Sequence, residues 1–340
     1  MPITNIEELE ELLSRPSEDL IKTMAALEGD IILLGVGGKM GPSLARMAKR
    51  ATEAAGKERR VIGVSRFTDD SLKAKLQSAG IETIRCNLLD RRELEALPDA
   101  PNVIFMAGMK FGSAENQSLT WALNSYLPGE VCQKYNRSRI VIFSTGNIYG
   151  LTPLVYGGAV ERDVPNPIGE YAVSALGRER IFEHFSRTSG LLVAINRLNY
   201  AAELRYGVLV DIAEKVIKGE AIDLFMGNVN VIFQGDASDM ILRTFNYVSS
   251  PPFIINITGP EVLSIRRVAE QFGQLMNKEV AFTGIEAPDG ILSNSQLSHS
   301  LFGYPRVSIH QLISWTADWI MQDGARWRKP THFETRHGQY

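Results

Sequence analysis

A glycine turn, Gly35-x-x-Gly38-x-x-Gly41, follows the apolar run Ile31-Ile32-Leu33-Leu34 and opens a helix-forming stretch from Leu44 to Ala55. Without Cβ atoms, backbone N–H groups in such a turn can approach a phosphate closely, and the positive end of the next helix favours the anion. The pattern predicts a dinucleotide site in which Gly35, Gly38, Lys39, Met40 and Gly41 meet the pyrophosphate; a glycine turn that carries no ligand is the alternative. The second apolar run, Val61 to Val64, ends in Ser65-Arg66. A carboxylate at this place binds the ribose 2′-OH of NAD, whereas a small neutral residue followed by arginine accommodates a 2′-phosphate. Ser65 and Arg66 therefore predict NADP as the preferred cofactor with NAD possible, and Lys39 adds charge within reach of the same phosphate.

Those residues need a rigid frame, and the chain supplies one. Between Asp30 and Arg197, apolar runs at Ile31–Val36, Val61–Val64, Ile81–Cys86, Val103–Ala107, Ile140–Phe143 and Leu191–Ile195 alternate with helical patterns. This alternation predicts an α/β fold, a Rossmann-type doubly wound parallel sheet covered on both faces. Beyond it, helices are expected at 211–218, 265–276 and 309–321, with short strands at 229–233 and 253–257. Together these would form a smaller, partly interleaved substrate-binding lobe (198–325) over the carboxyl ends of the strands, facing the cofactor domain (30–197).

Residues 1–29 read as a helical extension. A Thr4-x-x-Glu7 capping box starts one helix, Ser17 caps a second and Gly29 ends it, and packing of the pair on the main domain is expected. Residues 326–340 form a basic tail expected to dock on the body. Its two histidines, His332 and His337, make a poor metal site without a carboxylate or cysteine cluster, so no metal is expected.

The 36 basic and 39 acidic side chains give a net charge of −3, which provides no field to attract nucleic acid or an anionic membrane. No apolar run approaches a bilayer's thickness, and the N-terminus lacks a basic-then-apolar pattern. With only Cys86 and Cys132, both in apolar surroundings, a cytoplasmic location and reduced core thiols are expected.

Further motifs lie in order along the chain: Ala107-Gly108-Met109-Lys110; Asn124; Ser144-Thr145-Gly146-Asn147-Ile148-Tyr149-Gly150; Tyr171; Arg197-Leu198-Asn199; Asp236-Ala237-Ser238-Asp239; and Ile255-Asn256-Ile257-Thr258-Gly259. With the glycine turn, these make residues 30–325 resemble the extended short-chain dehydrogenase/reductase family, the NAD-dependent epimerases/dehydratases. The resemblance implies an NAD(P)-dependent oxidoreductase or epimerase acting on a sugar-like or hydroxylated small molecule. Tyr171 would be the acid/base, and Thr145 would orient the substrate oxygen. It also implies cofactor contacts from Ala107, Gly108, Lys110, Asn124, Tyr171, Leu198 and Asn199. Asn87 and Leu88 would lie beside the adenine, Asn87 replacing the family's aspartate, and a homodimer is possible.

One departure bears on the chemistry. The family places a lysine four residues after the tyrosine, where its ammonium holds the nicotinamide ribose and stabilises tyrosinate. Here the residue is Ala175. Arg178, Lys110 or the positive end of the helix opening near Pro167 could substitute. The alternative is a dinucleotide-binding sensor or scaffold with weak or lost turnover. The family's nucleotide-sugar members also carry an arginine before the D-V-A-like segment, and Val229–Gln234 contains none. Glu203, Arg205 and Tyr206 are expected at the surface rather than on substrate.

Overall fold

The computed structural model describes residues 3–338; residues 339 and 340 of the expected tail lie outside them. Seven strands form the central sheet: β1 (Ile31–Leu34), β2 (Val61–Ser65), β3 (Glu82–Arg85), β4 (Asn102–Phe105), β5 (Arg139–Thr145), β6 (Leu192–Leu198) and β7 (Phe253–Ile257). They lie in the order β7-β6-β5-β4-β1-β2-β3, every neighbouring pair parallel. All four β1 side chains are fully buried, as required of a central strand with helices on both faces. Strand order reverses where β1 lies between β2 and β4, opening a crevice beyond their carboxyl ends.

The turn after β1 is held by the sheet, because Gly35 N and Val36 N both donate to Val64 O, at 2.9 and 3.0 Å. Gly35 adopts φ +98°, and a Cβ there would lie 2.6 Å from Ala107 N. The ends of β1 and β4 thus approach more closely than any larger residue permits. The helix Gly41–Ala54 follows, with proline in its first turn, where the missing N–H leaves no bond unmade.

The helices Val208–Lys218, Ile265–Met276 and Ile309–Met321 pack on one another. Their apolar faces enclose a second core with Phe233, Phe272 and the tail's Phe333. Trp315 and Trp319 are both buried in it, matching their helical i, i+4 spacing. Residues 253–257, expected in this lobe, are instead β7, an edge strand of the main sheet paired to β6 with Asn256 opposite Arg197. A short branched run suits either sheet, and only its partner decides. The expected strand 229–233 divides in two: Asn228–Val229 pairs with Leu263–Ser264, and Ile232–Phe233 pairs with Ala201–Ala202.

The N-terminal hairpin packs as expected but is capped one residue later. Asn5, not Thr4, accepts from Glu8 N, at 2.8 Å, and Glu8 rather than Glu7 returns the bond, to Thr4 N. Asparagine caps as well as threonine, so sequence spacing left the frame open. Ser17 caps the second helix and also donates to Asp239. That helix stops at Ala26, with Leu27 extended, before Gly29 turns beneath Pro101. Both cysteines are buried. Among the described residues no helix is long and apolar enough to cross a membrane.

Under the carboxyl ends of β5 and β6, Arg197 and Glu179 form an ion pair at 2.8 Å with almost no exposure. Arg197 also donates to the Tyr149 hydroxyl, and Ser144 donates to Glu179. Removing one partner of a buried pair strands the other charge, so Glu179→Ala should lower the unfolding free energy by about 3 kcal/mol. Urea denaturation followed by circular dichroism checks this; a loss below about 1 kcal/mol would mean that Arg197 is neutralised without Glu179.

Candidate active site

Thr145 ends β5 and Tyr171 stands in the first turn of the helix Gly169–Ser189. The fold brings them together closely enough for the threonine hydroxyl to act on the phenol, while Thr145 Oγ1 donates to Asn147 Oδ1 at 3.2 Å. Thr145 Oγ1 also accepts from Asn147 N at 3.2 Å, which fixes the rotamer. Burial pushes the Tyr171 phenol above its usual range, while the Thr145 hydroxyl and the nearby Arg178 charge pull it back. The tyrosine therefore holds its proton at neutral pH.

Ala175 is buried against Ile148 and Tyr149, so that point on the helix offers no cation. Arg178, one turn further along, supplies one. Its side chain folds back under the tyrosine, donating to Phe143 O at 2.7 Å and Asn124 Oδ1 at 2.8 Å. Gly108 makes the room: a Cβ there would lie 2.3 Å from Arg178 Nη2. Asn124 is the hub of this arrangement. It sits in a π-helical turn, Ala122–Tyr126, accepts from Met109 N and donates to Met109 O and Ser174 Oγ, each at 2.9 Å. A π turn re-aims one side chain out of helical register, here toward the loop after β4.

Two lysines enter the cleft. Lys110 places its ammonium 5.8 Å from the centre of the Tyr171 ring and 5.5 Å from that of Phe111. Lys39 turns away from the end of β2: it donates to Ala201 O at 2.8 Å and lies 4.1 Å over the Tyr206 ring. It thus engages the smaller lobe rather than a phosphate beside Arg66, as its charge alone suggested. Desolvation, aided by mutual repulsion, draws Lys39 down to about 7, and desolvation draws Lys110 down to about 8. Asp211 faces both and is itself pushed up to about 6 by burial, against two hydrogen bonds from Thr331.

The remaining expected residues divide by position. Gly37 and Gly38 are exposed at the turn, and a Cβ on Gly38 would meet nothing closer than 3.6 Å, so its face is open to a ligand. Met40 is buried beneath it. Ser65 lies against Gly37, where a Cβ would come 2.4 Å from Ser65 Oγ. Arg66 is exposed beside it. Asn87 is exposed and accepts from Leu89 N, Leu88 is buried, and Ala107 lies against Gly35. Leu198 ends β6 opposite Thr145. Asn199 is buried and donates to Ile291 O at 3.1 Å, which gives it a bracing role between lobes.

Glu203, expected at the surface, is instead buried and pairs at 3.0 Å with the half-buried Arg205, which is also bonded to Glu10 of the N-terminal helix. Tyr206 lies under Lys39. Sequence spacing gave no sign of the Arg205–Glu10 and Tyr206–Lys39 contacts, because those partners come from distant parts of the chain.

The tail docks as a strap across the cleft. Trp327 N donates to Arg205 O, Thr331 caps Asp211, and Phe333 is buried. Arg336 pairs with Asp289 and lies over the Phe225 ring. Gly338 then abuts the start of the Tyr171 helix, where a Cβ on Gly169 would come 2.4 Å from Gly338 O. His332 lies 6.3 Å from Phe111, ring to ring. On the smaller lobe a cavity of about 490 Å³ opens between Arg205, Tyr206, Asp211, Lys215, Arg326 and Lys329.

A dinucleotide fits these residues on two grounds besides the open Gly38 face. Arg178 Nε is buried with no hydrogen-bond partner, and the glycine turn is followed by a fourteen-residue helix whose first turn can face an anion. The model of the NAD-dependent epimerase/dehydratase family matches residues 31–229. The chain belongs to that family. It is thus an enzyme of the epimerase/dehydratase type. No curated protein matches the chain in sequence.

Solved structures resemble it closely in fold. UDP-glucose 4-epimerase from Thermotoga maritima, with UDP-glucose, is 17% identical at a TM-score of 0.71, over 86% of this chain and 99% of that one. UDP-glucuronic acid 4-epimerase from Bacillus cereus, with NAD, is 17% identical at 0.69 over 86% and 99%. The Thermus thermophilus UDP-glucose 4-epimerase, also with NAD, is 21% identical at 0.68 over 85% and 98%. At these identities the likeness establishes the shared architecture.

The two cleft lysines should betray themselves by titration. After reductive [13C]methylation, two dimethyl-lysine resonances should lose their charge with midpoints near 7 and 8. Uniform titration at about 10 would mean that the cleft does not desolvate them.

Proposed function

We propose that the chain catalyses nicotinamide-dependent oxidation–reduction at a hydroxyl-bearing carbon of a sugar-like or hydroxylated small molecule. The observation that carries this reading is the juxtaposition of the Tyr171 phenol with Thr145 and the Arg178 charge, both of which act on it. A bound nicotinamide would supply the chemistry of accepting and returning hydride, and its return to the opposite face of the carbon would give epimerisation. Tyr171 Oη exchanges the proton of the substrate oxygen, and the Thr145 hydroxyl orients that oxygen. Since Tyr171 is protonated at neutral pH, the resting site is set to donate. Arg178 stays charged, because a guanidinium does not lose its proton in proteins, and so favours the tyrosinate that forms.

Gly35, Gly38, Met40 and Gly41 would hold the pyrophosphate. Ala107, Gly108, Lys110 and Asn124 would line the nicotinamide half, with Leu198 and Asn199 beneath it. Asn87 and Leu88 would flank the adenine. Ser65 and the exposed Arg66 support NADP, although two of the neighbours named above hold NAD. Ala175 favours a second reading, a dinucleotide-binding sensor, because the site lacks the family's ribose-holding lysine.

Tyr171→Phe should lower kcat by roughly 10²- to 10⁴-fold and leave cofactor affinity within about twofold, read by 340 nm absorbance and calorimetry. Tight binding with no turnover by wild type on aldoses, keto-sugars and polyols would favour the sensor. Separately, Arg66→Asp should shift preference from NADP toward NAD; equal affinity for both cofactors before and after would remove the NADP assignment.

A further inference from the structure

The C-terminal strap is unevenly held, and its lightly held end lies where the redox reading needs room. The root, from Trp327 to Thr335, is bonded through its backbone. Trp327 N donates to Arg205 O, Thr331 N to Asp211, Phe333 N to Thr331 Oγ1 and Thr335 N to His332 O. Phe333 is 1% exposed and belongs to the core of the smaller lobe. Among the described residues, the tip that follows (336–338) is held by one side chain and one close backbone contact. The Arg336 guanidinium donates to the Asp289 carboxylate, to Asp289 O at 3.2 Å and to Phe225 O at 3.3 Å, and lies 4.7 Å over the Phe225 ring. Gly338 rests against Ile168 and Gly169, and a Cβ on Gly338 or Gly169 would collide with backbone of the other segment. Because two glycines meet there, no side chains interlock and the contact can part without repacking. A segment with few buried apolar contacts opens locally at small cost.

The tip also crosses the approach to Tyr171. The His332 ring lies 6.3 Å from Phe111, on the loop whose Lys110 places its ammonium 5.8 Å from the Tyr171 ring. Gly338 meets the start of the helix that carries Tyr171. Residues 333–337 run between these two segments. Beneath the tip, between it and the turn after β5, a crevice of about 10 Å³ remains, lined by Asn147, Gly150, Ile168 and Arg336. That is room for about one water molecule. The root, by contrast, leaves a cavity of about 490 Å³ on its smaller-lobe side, so the narrowing is confined to the tip.

We propose that residues 336–338 are the moving end of a gate over Tyr171, latched by Arg336 on Asp289 and pivoting between Phe333 and Arg336. Opening the latch takes Gly338 off Gly169 and exposes Tyr171 to incoming molecules; closing it shuts water out of the site. This rests on the redox reading for making Tyr171 the reacting residue, but access to that position is measured without cofactor or turnover.

The test is alkylation of the full-length Tyr171→Cys chain by iodoacetamide, followed by peptide mapping. Cys86 and Cys132 are both buried, so the introduced thiol reports access to the site and the native pair reports the integrity of the core. Adding Arg336→Ala should speed alkylation at position 171 by about tenfold or more. Asp289→Asn, which weakens the same latch and keeps its shape, should speed it by about threefold or more. Lys329→Ala, exposed on the root, should change it by less than about twofold. Cys86 and Cys132 should stay as slow as in the parent chain. Equal alkylation at position 171 with and without the latch would overturn the inference, and so would acceleration of Cys86 and Cys132 by the same factor, which marks a general loosening of the fold. Alkylation that responds to the latch, with no turnover of aldoses, keto-sugars or polyols by wild type, leaves the gate standing and removes the redox reading. Turnover by wild type with alkylation indifferent to the latch does the reverse.

Discussion

A buried guanidinium beneath the tyrosine constrains everything around it. Arg178 has lost its water, so its N–H groups need acceptors held at fixed places, and the fold provides Phe143 O at the end of β5 and Asn124 Oδ1 from a π turn. Those demands propagate outward. Gly108 has no side chain because the guanidinium occupies that space, and Asn124 must clamp the loop after β4 through Met109 to stay in position. The loop so clamped carries Lys110 to the Tyr171 ring. One charge therefore organises the strand ends, the loop and the helix on which Tyr171 stands.

Placing the cation at position 178 rather than 175 has a chemical consequence. A lysine one turn from the tyrosine would be a flexible point charge that can reach a ribose, whereas Arg178 is planar, packed and committed to two acceptors. Its field acts on the phenol.

The smaller lobe and the cofactor domain are joined by more than the cleft. Arg205 bridges Glu203 and Glu10, β7 returns the chain to the main sheet, and the strap closes the far side. Buried ion pairs of this kind contribute little net stability but penalise every arrangement in which a partner is missing. That favours one relative placement of the lobes, which a site built from both of them needs.

The sequence by itself determined the parallel sheet, the glycine turn and the candidate pair Thr145 and Tyr171. Uninterrupted apolar runs at regular spacing leave few folds that bury both faces, and motif order identifies strand ends. The helices at 265–276 and 309–321 were legible to the residue from their apolar stripes. Tertiary structure alone decided that 253–257 joins the main sheet, that Arg205 is bonded to Glu10, that Lys39 crosses to Ala201 and that the tail straps the cleft. It also decided that the Arg178 charge lies close enough to act on the tyrosine. Each depends on a partner distant in the chain, and periodicity reports which face of an element is apolar, never what that face or a long charged side chain will meet.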